Sequence, residues 1–167
     1  MTDVQTTVPN RPALDPRQLI PLDNVRNRLA WIWIIGFCLI VVIMVVQSLL
    51  NVYKDSTADM TQEAWSWLLP TLMPSVGLII TVLTYTALDP LMTGSVVRKS
   101  FVPIAVGISI FYLVLVLLTI LAQPISAHSP KEAVAAMHTS NLWLGPIQGL
   151  VASAIGVLFA SKEKPTA

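Results

Sequence analysis

Few side chains in this sequence have the chemistry of a catalytic or metal-binding site. The two histidines, His128 and His138, are ten residues apart with no thiol nearby, which favours solvated surface side chains over a metal site. Cys38 is the sole cysteine, so an internal disulfide and a cysteine-rich metal site are excluded. Its position among apolar residues predicts a small buried hydrophobe. No nucleotide-binding glycine loop, HExxH or GxSxG sequence occurs. We therefore expect a protein that is not an enzyme and holds no metal or cofactor.

A second group of polar residues, amides and hydroxyls, lies within or at the ends of long apolar segments. In such surroundings they can bond one helix to another, or they can line a polar vestibule that opens to one side of a membrane. The candidates for a vestibule are Gln47, Asn51, Ser75, Gln123 and Gln148.

The composition excludes an ordinary soluble domain. Of the 167 residues 54% are hydrophobic and 11% are charged, and the mean hydropathy is +0.71. Soluble domains carry about 25% charged residues, so a fully solvated surface is hard to build here. The net charge of +1 gives no reason to expect nucleic-acid binding.

Four long segments without charged residues predict four membrane spans. A charged residue at the centre of a bilayer costs roughly 2.5 to 3.5 kcal/mol, so such segments indicate where the chain crosses. We place the spans near 30–52, 68–89, 101–123 and 142–161, each long enough to cross about 30 Å of hydrocarbon. They must be helical, because lipid offers no partner to open backbone groups. The prediction is an all-α four-helix bundle at 30–161, between a partly disordered tail at 1–29 and a short tail at 162–167.

Basic residues predict the orientation of these spans. Eight of the ten would lie on one side of the membrane: Arg11, Arg17, Arg26, Arg28, Arg98, Lys99, Lys162 and Lys164. The positive-inside rule then places both termini in the cytoplasm. In architecture alone the chain resembles small four-span proteins of bacterial inner membranes, which implies the cytoplasmic membrane of a bacterium.

Each of the two outer loops carries a signal for a short interfacial helix. Asp59 precedes Gln62 by three residues, and Ser129 to Glu132 form a capping box with proline at the first helical position. Pro70 and Pro74 then predict a kink in span 2 or an interfacial helix joined to it at an angle, with a re-entrant loop as the alternative. Tryptophans 31 and 33 near the inner boundary, and 65, 67 and 143 near the outer one, are typical of interfacial belts.

Small and polar residues at helical spacing predict which face of each span is buried, because apolar side chains give no net drive to association in lipid. The clearest such face is on span 4, and it predicts helix packing or self-association: Gly145, Gly149, Ser153, Gly156 and Ala160. The corresponding stripes are Gly36, Ile40, Met44, Gln47 and Asn51 on span 1, Gly77, Thr81 and Thr84 on span 2, and Ala105, Ser109, Tyr112, Val116, Thr119 and Gln123 on span 3.

Three functions are compatible with these features. An accessory or scaffold subunit would associate with copies of itself or with another membrane protein through the span 4 face. An oligomeric, weakly selective pore or membrane-disrupting effector would line a conduit with uncharged polar residues. An uncoupled transporter of a small solute fits less well, because paired broken helices are missing. The cores of the four spans contain no Asp, Glu, Lys, Arg or His, which argues against proton-coupled transport and voltage sensing.

Overall fold

The computed structural model describes residues 19–56, 59–88, 96–98 and 101–160, and of some of these only the backbone. Within them the chain forms four helices and two short strands. In chain order these are β1 (Leu19–Pro21), α1 (Leu22–Leu49), α2 (Thr61–Leu88), β2 (Val96–Arg98), α3 (Phe101–Ser126) and α4 (Pro130–Ala160). The predicted tails fall mostly outside the described residues, although α1 already begins at Leu22 and so takes in the last part of the segment expected to be a tail.

Three of the helices are long and apolar enough to cross a membrane. The qualifying segments are Asn24–Leu49, Thr61–Thr81 and Phe101–Ser126. They confirm a helical protein suited to a membrane. Within the described part of the chain α4 is not among them, so the fourth span expected at 142–161 and the cytoplasmic position of the termini stay predictions.

The four helices surround one apolar core. α1 packs against α2 and α3, and α4 packs against the same two helices from the other side. Trp33 of α1 reaches Tyr112 of α3, with ring centroids 5.9 Å apart. Ile40 and Met44 continue the core along α1, and Val151 and Ile155 continue it along α4.

The buried stripes predicted for spans 1 and 3 agree with the structure over most of their length. Ile40, Met44 and Gln47 are buried on α1, and on α3 the buried residues include Ala105, Ser109, Tyr112, Val116 and Gln123. The stripe predicted for span 2 is wrong, because Gly77, Thr81 and Thr84 lie on an exposed face. Both threonine hydroxyls bond back to the carbonyl four residues earlier in the same helix, at 2.8 and 2.9 Å, so they need no partner helix. The buried face of α2 is formed instead by larger side chains, Leu68, Leu72, Val76 and Ile79.

A short antiparallel strand pair joins the start of α1 to the segment before α3. Leu19 pairs with Arg98, Ile20 with Val97 and Pro21 with Val96. The pair places the beginnings of α1 and α3 at the same end of the bundle, as an up-and-down arrangement requires. Sequence periodicity did not indicate these strands, since three residues are too few to show an alternation.

The capping signals are confirmed, but they do not start separate helices. The Thr61 N–H donates to Asp59 Oδ1 at 3.1 Å, and the Glu132 N–H donates to Ser129 Oγ at 3.3 Å. Each cap begins a long helix, α2 or α4, that continues without interruption to Leu88 or Ala160. The interfacial helices predicted for the two outer loops are therefore the first turns of α2 and α4. α2 also continues through Pro70, so a break at the prolines is not observed.

Two tryptophans and the cysteine occupy positions that the sequence does not indicate. Trp33 and Trp67 are buried in the core, not at an interface, whereas Trp31 and Trp143 are about half exposed, as an interfacial belt requires. Cys38, expected as a small buried hydrophobe, is exposed on α1. On a membrane helix such a position faces lipid, where a thiol is tolerated as an apolar group.

Candidate functional site

Polar side chains join the helices in two places. The first lies near the ends of α1 and α3 and centres on Gln47. The second lies about midway along the bundle and centres on the carbonyl of Thr71 in α2; we call it the Thr71 junction. The first depends on a proline, because a proline without an N–H leaves the carbonyl four residues earlier without its helical partner.

At the first place, Gln47 satisfies the carbonyl that Pro124 leaves open. Pro124 lies inside α3 and cannot donate to the carbonyl of Ile120. Gln47 of α1 is buried, and its Nε2 donates to that oxygen at 3.1 Å. The Tyr53 hydroxyl donates in turn to Gln47 Oε1. Burial raises the pKa of Tyr53 well above its usual value, so the hydroxyl keeps its proton and remains a donor.

At the Thr71 junction one carbonyl oxygen accepts from two other helices. The Tyr112 hydroxyl of α3 donates to the Thr71 oxygen at 2.6 Å, and Gln148 Nε2 of α4 donates to it at 3.0 Å. A carbonyl oxygen has two lone pairs, so it can accept from side chains of other helices as well as within its own helix. Because Tyr112 also packs against Trp33, all four helices meet at this point.

A cleft of about 240 Å³ opens beside the Thr71 junction, between α2 and α4. Its polar groups come from both helices: Ser66, Thr71, His138, Asn141 and Gln148. Gln148 is half-buried at the base of the cleft, where its amide is held by the Thr71 carbonyl, and His138 and Asn141 are exposed. The cleft can hold a small neutral polar molecule or ordered water.

A second cavity, of about 290 Å³, lies where α3 ends and α4 begins. Gln123 lines it, and its Nε2 donates to the Thr119 carbonyl at 2.6 Å while its buried Oε1 has no protein partner. Ser75, another vestibule candidate, is fully buried on α2, and its hydroxyl also has no partner. Asn51 lies apart from both, exposed in the left-handed conformation (φ 57°) just after α1.

The five residues predicted to line a vestibule thus divide by role. Gln47 and Gln148 bond one helix to another, and Ser75 is buried on α2 without a partner. Gln148 lines the cleft, Gln123 lines the second cavity, and Asn51 ends a helix.

The small residues of α4 lie on the side that faces away from the rest of the bundle. Gly145, Gly149 and Ser153 are exposed, and Gly156 is half-buried. A Cβ atom added at Gly145, Gly149 or Gly156 would meet no atom within 4 Å. We call Gly145, Gly149, Ser153 and Gly156 the small-residue face; the side chain of Ala160, which the sequence assigned to the same stripe, lies outside the described ones. The opposite face of α4 carries the larger side chains that pack on the bundle, among them Leu144 and Val151.

The described residues hold no group of three or more histidine, cysteine, aspartate or glutamate side chains that could bind a metal. His128 and His138 are both exposed, in agreement with the sequence analysis. The chemistry left to the site is hydrogen bonding by uncharged amides, hydroxyls and backbone carbonyls.

Sequence reasoning missed the partners of these polar groups. Tyr53 was not singled out, and Tyr112 was assigned to a stripe without its contact on α2. A signal that could have pointed to the first place was Pro124 inside an apolar helix, since a proline leaves the carbonyl four residues earlier in need of a donor from another element. The chain matches no known family model, no curated protein and no solved structure.

Proposed function

We propose that this chain is a non-enzymatic integral membrane protein that acts as an accessory or scaffold subunit. It associates through the small-residue face of α4 with copies of itself or with another membrane protein. We place it in the bacterial cytoplasmic membrane with both termini in the cytoplasm. The observation that carries the proposal is that this face is open: glycines 145, 149 and 156 have no neighbour within 4 Å of the position of a Cβ atom.

Small residues on an open face are suited to contact between helices. In lipid, association depends on close van der Waals packing, and glycine lets two backbones approach to a distance that leucine forbids. Such a stripe would be of little use against acyl chains, which gain nothing from a flat helix surface. The exposed side chains beside it, Leu142 and Leu150, would border the contact.

The fixed hydrogen bonds inside the bundle support a structural role. Gln47 and Gln148 each donate to a carbonyl of another helix, so these two amides hold helices together. A bundle held together by such bonds, with an open small-residue face on α4, has the properties that a scaffold subunit needs.

Native mass measurement in lipid nanodiscs tests the proposal. The wild-type protein should give a defined oligomer, and Gly149→Leu should give the monomer, because a leucine side chain separates the two backbones. Gly107→Leu is the matched control: Gly107 is an equally open glycine on α3, outside the small-residue face. A monomeric wild-type protein, or equal effects of the two variants, would contradict self-association.

An oligomeric pore is the second candidate, and one observation favours it. Gly145 belongs to the small-residue face and also lines the polar cleft beside Gln148. Association through α4 would therefore bring clefts from neighbouring copies to one interface. Expression in cells with a potential-sensitive dye tests this function, with Gln148→Leu as the variant expected to alter permeation. Expression without any loss of membrane potential would count against a pore.

A further inference from the structure

An apolar groove of about 510 Å³ runs between α1 and α3 on the outside of the bundle. Its walls are exposed aliphatic side chains, Ile35 and Leu39 from α1 and Ile110 and Val114 from α3. At its base α1 and α3 approach closely, since a Cβ atom added at Gly36 would lie 2.7 Å from Leu113 Cδ1. At this point the Leu113 side chain packs directly on Gly36, where a larger residue would displace it.

The length of the groove corresponds to one leaflet of a bilayer. Along α1 its lining residues run from Arg28 to Ile40, and at 1.5 Å per residue this is about 18 Å. Half of a hydrocarbon core of about 30 Å is about 15 Å. An extended acyl chain in the groove would thus have its headgroup at the Arg28 end.

The charge at that end selects the headgroup. Arg28 is the one charged residue that lines the groove; it is exposed, and in the described part of the chain it has no hydrogen bond or ion pair. A guanidinium group binds phosphate oxygens through two parallel hydrogen bonds. Trp31, which is 55% exposed, stands next to it as an interfacial tryptophan does at the headgroup level.

Among the described residues, no acidic side chain of a second copy would reach Arg28 in the groove. The acidic side chains that the structure describes are Asp55, Asp59, Glu63 and Glu132. All of them are near the opposite end of the bundle, where α1 ends and α2 and α4 begin. A copy inserted in the same orientation would keep them on the other side of the membrane.

We propose that the groove between α1 and α3 binds one acyl chain of an anionic phospholipid, whose phosphate pairs with Arg28. The site lies on a different surface from the small-residue face of α4. It would bind lipid whether or not the protein associates with other subunits.

Quenching of Trp31 fluorescence by brominated lipids tests the proposal. The measurement uses a Trp143→Phe variant, which lacks the exposed tryptophan of α4. Trp33 and Trp67 are buried, and Trp65 is half-buried near the start of α2, at the opposite end of the bundle from Trp31. The full chain is reconstituted in phosphatidylcholine vesicles that contain the same mole fraction of brominated phosphatidylglycerol or brominated phosphatidylcholine. We expect stronger quenching by the anionic lipid, and loss of that difference when Trp31→Phe is added.

The charge is tested with Arg28→Gln, Arg28→Lys and the control Lys131→Gln. Arg28→Gln should lower the relative affinity for phosphatidylglycerol about fivefold, the factor for ~1 kcal/mol from one cation near an anionic lipid surface. Arg28→Lys should keep most of the preference. Lys131→Gln removes an exposed cation at the other end of the bundle and should change nothing.

A groove variant that leaves Arg28 in place separates the two parts of the site. Val114→Phe fills the groove with an aromatic side chain that adds no tryptophan signal, and it should abolish quenching of Trp31 by either brominated lipid from within the groove. Equal quenching by both lipids in the parent protein would overturn the proposal, and so would an unchanged preference in Arg28→Gln. Weak quenching together with a native mass that Val114→Phe shifts from oligomer to monomer would assign the groove to a second copy instead.

Discussion

Replacing Gln47 with leucine should destabilise the bundle because it removes two buried hydrogen bonds at once. Gln47 Nε2 donates to the Ile120 carbonyl at 3.1 Å, and Oε1 accepts from the Tyr53 hydroxyl. Interhelical hydrogen bonds in membrane proteins contribute about 0.6 kcal/mol on average and up to about 1.7 kcal/mol. Two of them give an expected loss of about 1 to 3 kcal/mol in the free energy of unfolding. Leucine is close to glutamine in volume, so no cavity adds to this loss.

Pro124 decides how much of that loss comes from the Ile120 carbonyl. Pro124→Ala restores a backbone N–H that can donate to this oxygen within α3. In the Pro124→Ala background Gln47→Leu should therefore cost only the Tyr53 bond, about half as much. The double-mutant cycle should give a coupling of about 0.6 to 1.7 kcal/mol between Gln47 and Pro124.

Reversible unfolding in mixed detergent micelles, followed by circular dichroism, measures these free energies. Pro103→Ala is the matched control, since Pro103 lies in the first turn of α3, where N–H groups have no helical acceptor in any case. Its cycle with Gln47→Leu should be additive. Additivity within about 0.5 kcal/mol in the Pro124 cycle as well would refute the reasoning, because the Ile120 carbonyl would then not depend on Gln47.

Three further predictions follow from other contacts. Tyr112→Phe removes the donor to the Thr71 carbonyl and should lower the free energy of unfolding by about 1 kcal/mol, measured in the same micelles; an unchanged value would show that the contact adds nothing. Hydrogen bonds to Thr61, the first residue of α2, lower the pKa of Asp59. The contribution of this carboxylate to the free energy of unfolding should therefore be present above the usual aspartate pKa and lost as the pH falls through the lowered pKa. Asp59→Asn should remove that pH dependence of melting, and equal slopes in the two proteins would contradict it. Gly36→Ala should lower the free energy of unfolding by about 1 to 3 kcal/mol, because the added methyl group meets the Leu113 side chain. Adding Leu113→Ala to the same chain should relieve that clash. Additive effects of the two substitutions would mean that the Leu113 side chain moves aside freely.

The sequence by itself determined the membrane class, three of the apolar helices and the buried faces of two of them. Charge-free segments of about 20 residues permit no other structure in lipid, because every backbone group must be bonded within its own segment. The buried faces of α1 and α3 could be predicted from helical spacing, since Met44 on α1 and Val116 on α3 stand three or four residues from small or polar members of the same stripe. Local capping was also predictable, because Asp59 and Ser129 bond to N–H groups two or three residues away.

Only the tertiary structure decided which polar groups meet and which faces remain open. Gln47 and Ile120 are 73 residues apart, and Gln148 and Thr71 are 77 apart, so no local pattern could pair them. Glycines and threonines mark a face that permits close approach, but whether a partner is present depends on how the helix is rotated in the bundle. Gly36 is covered by Leu113, whereas Gly149 on a similar stripe is open. The rotation of each helix about its axis is set by its contacts with all neighbouring helices together, and these contacts form only in the assembled bundle.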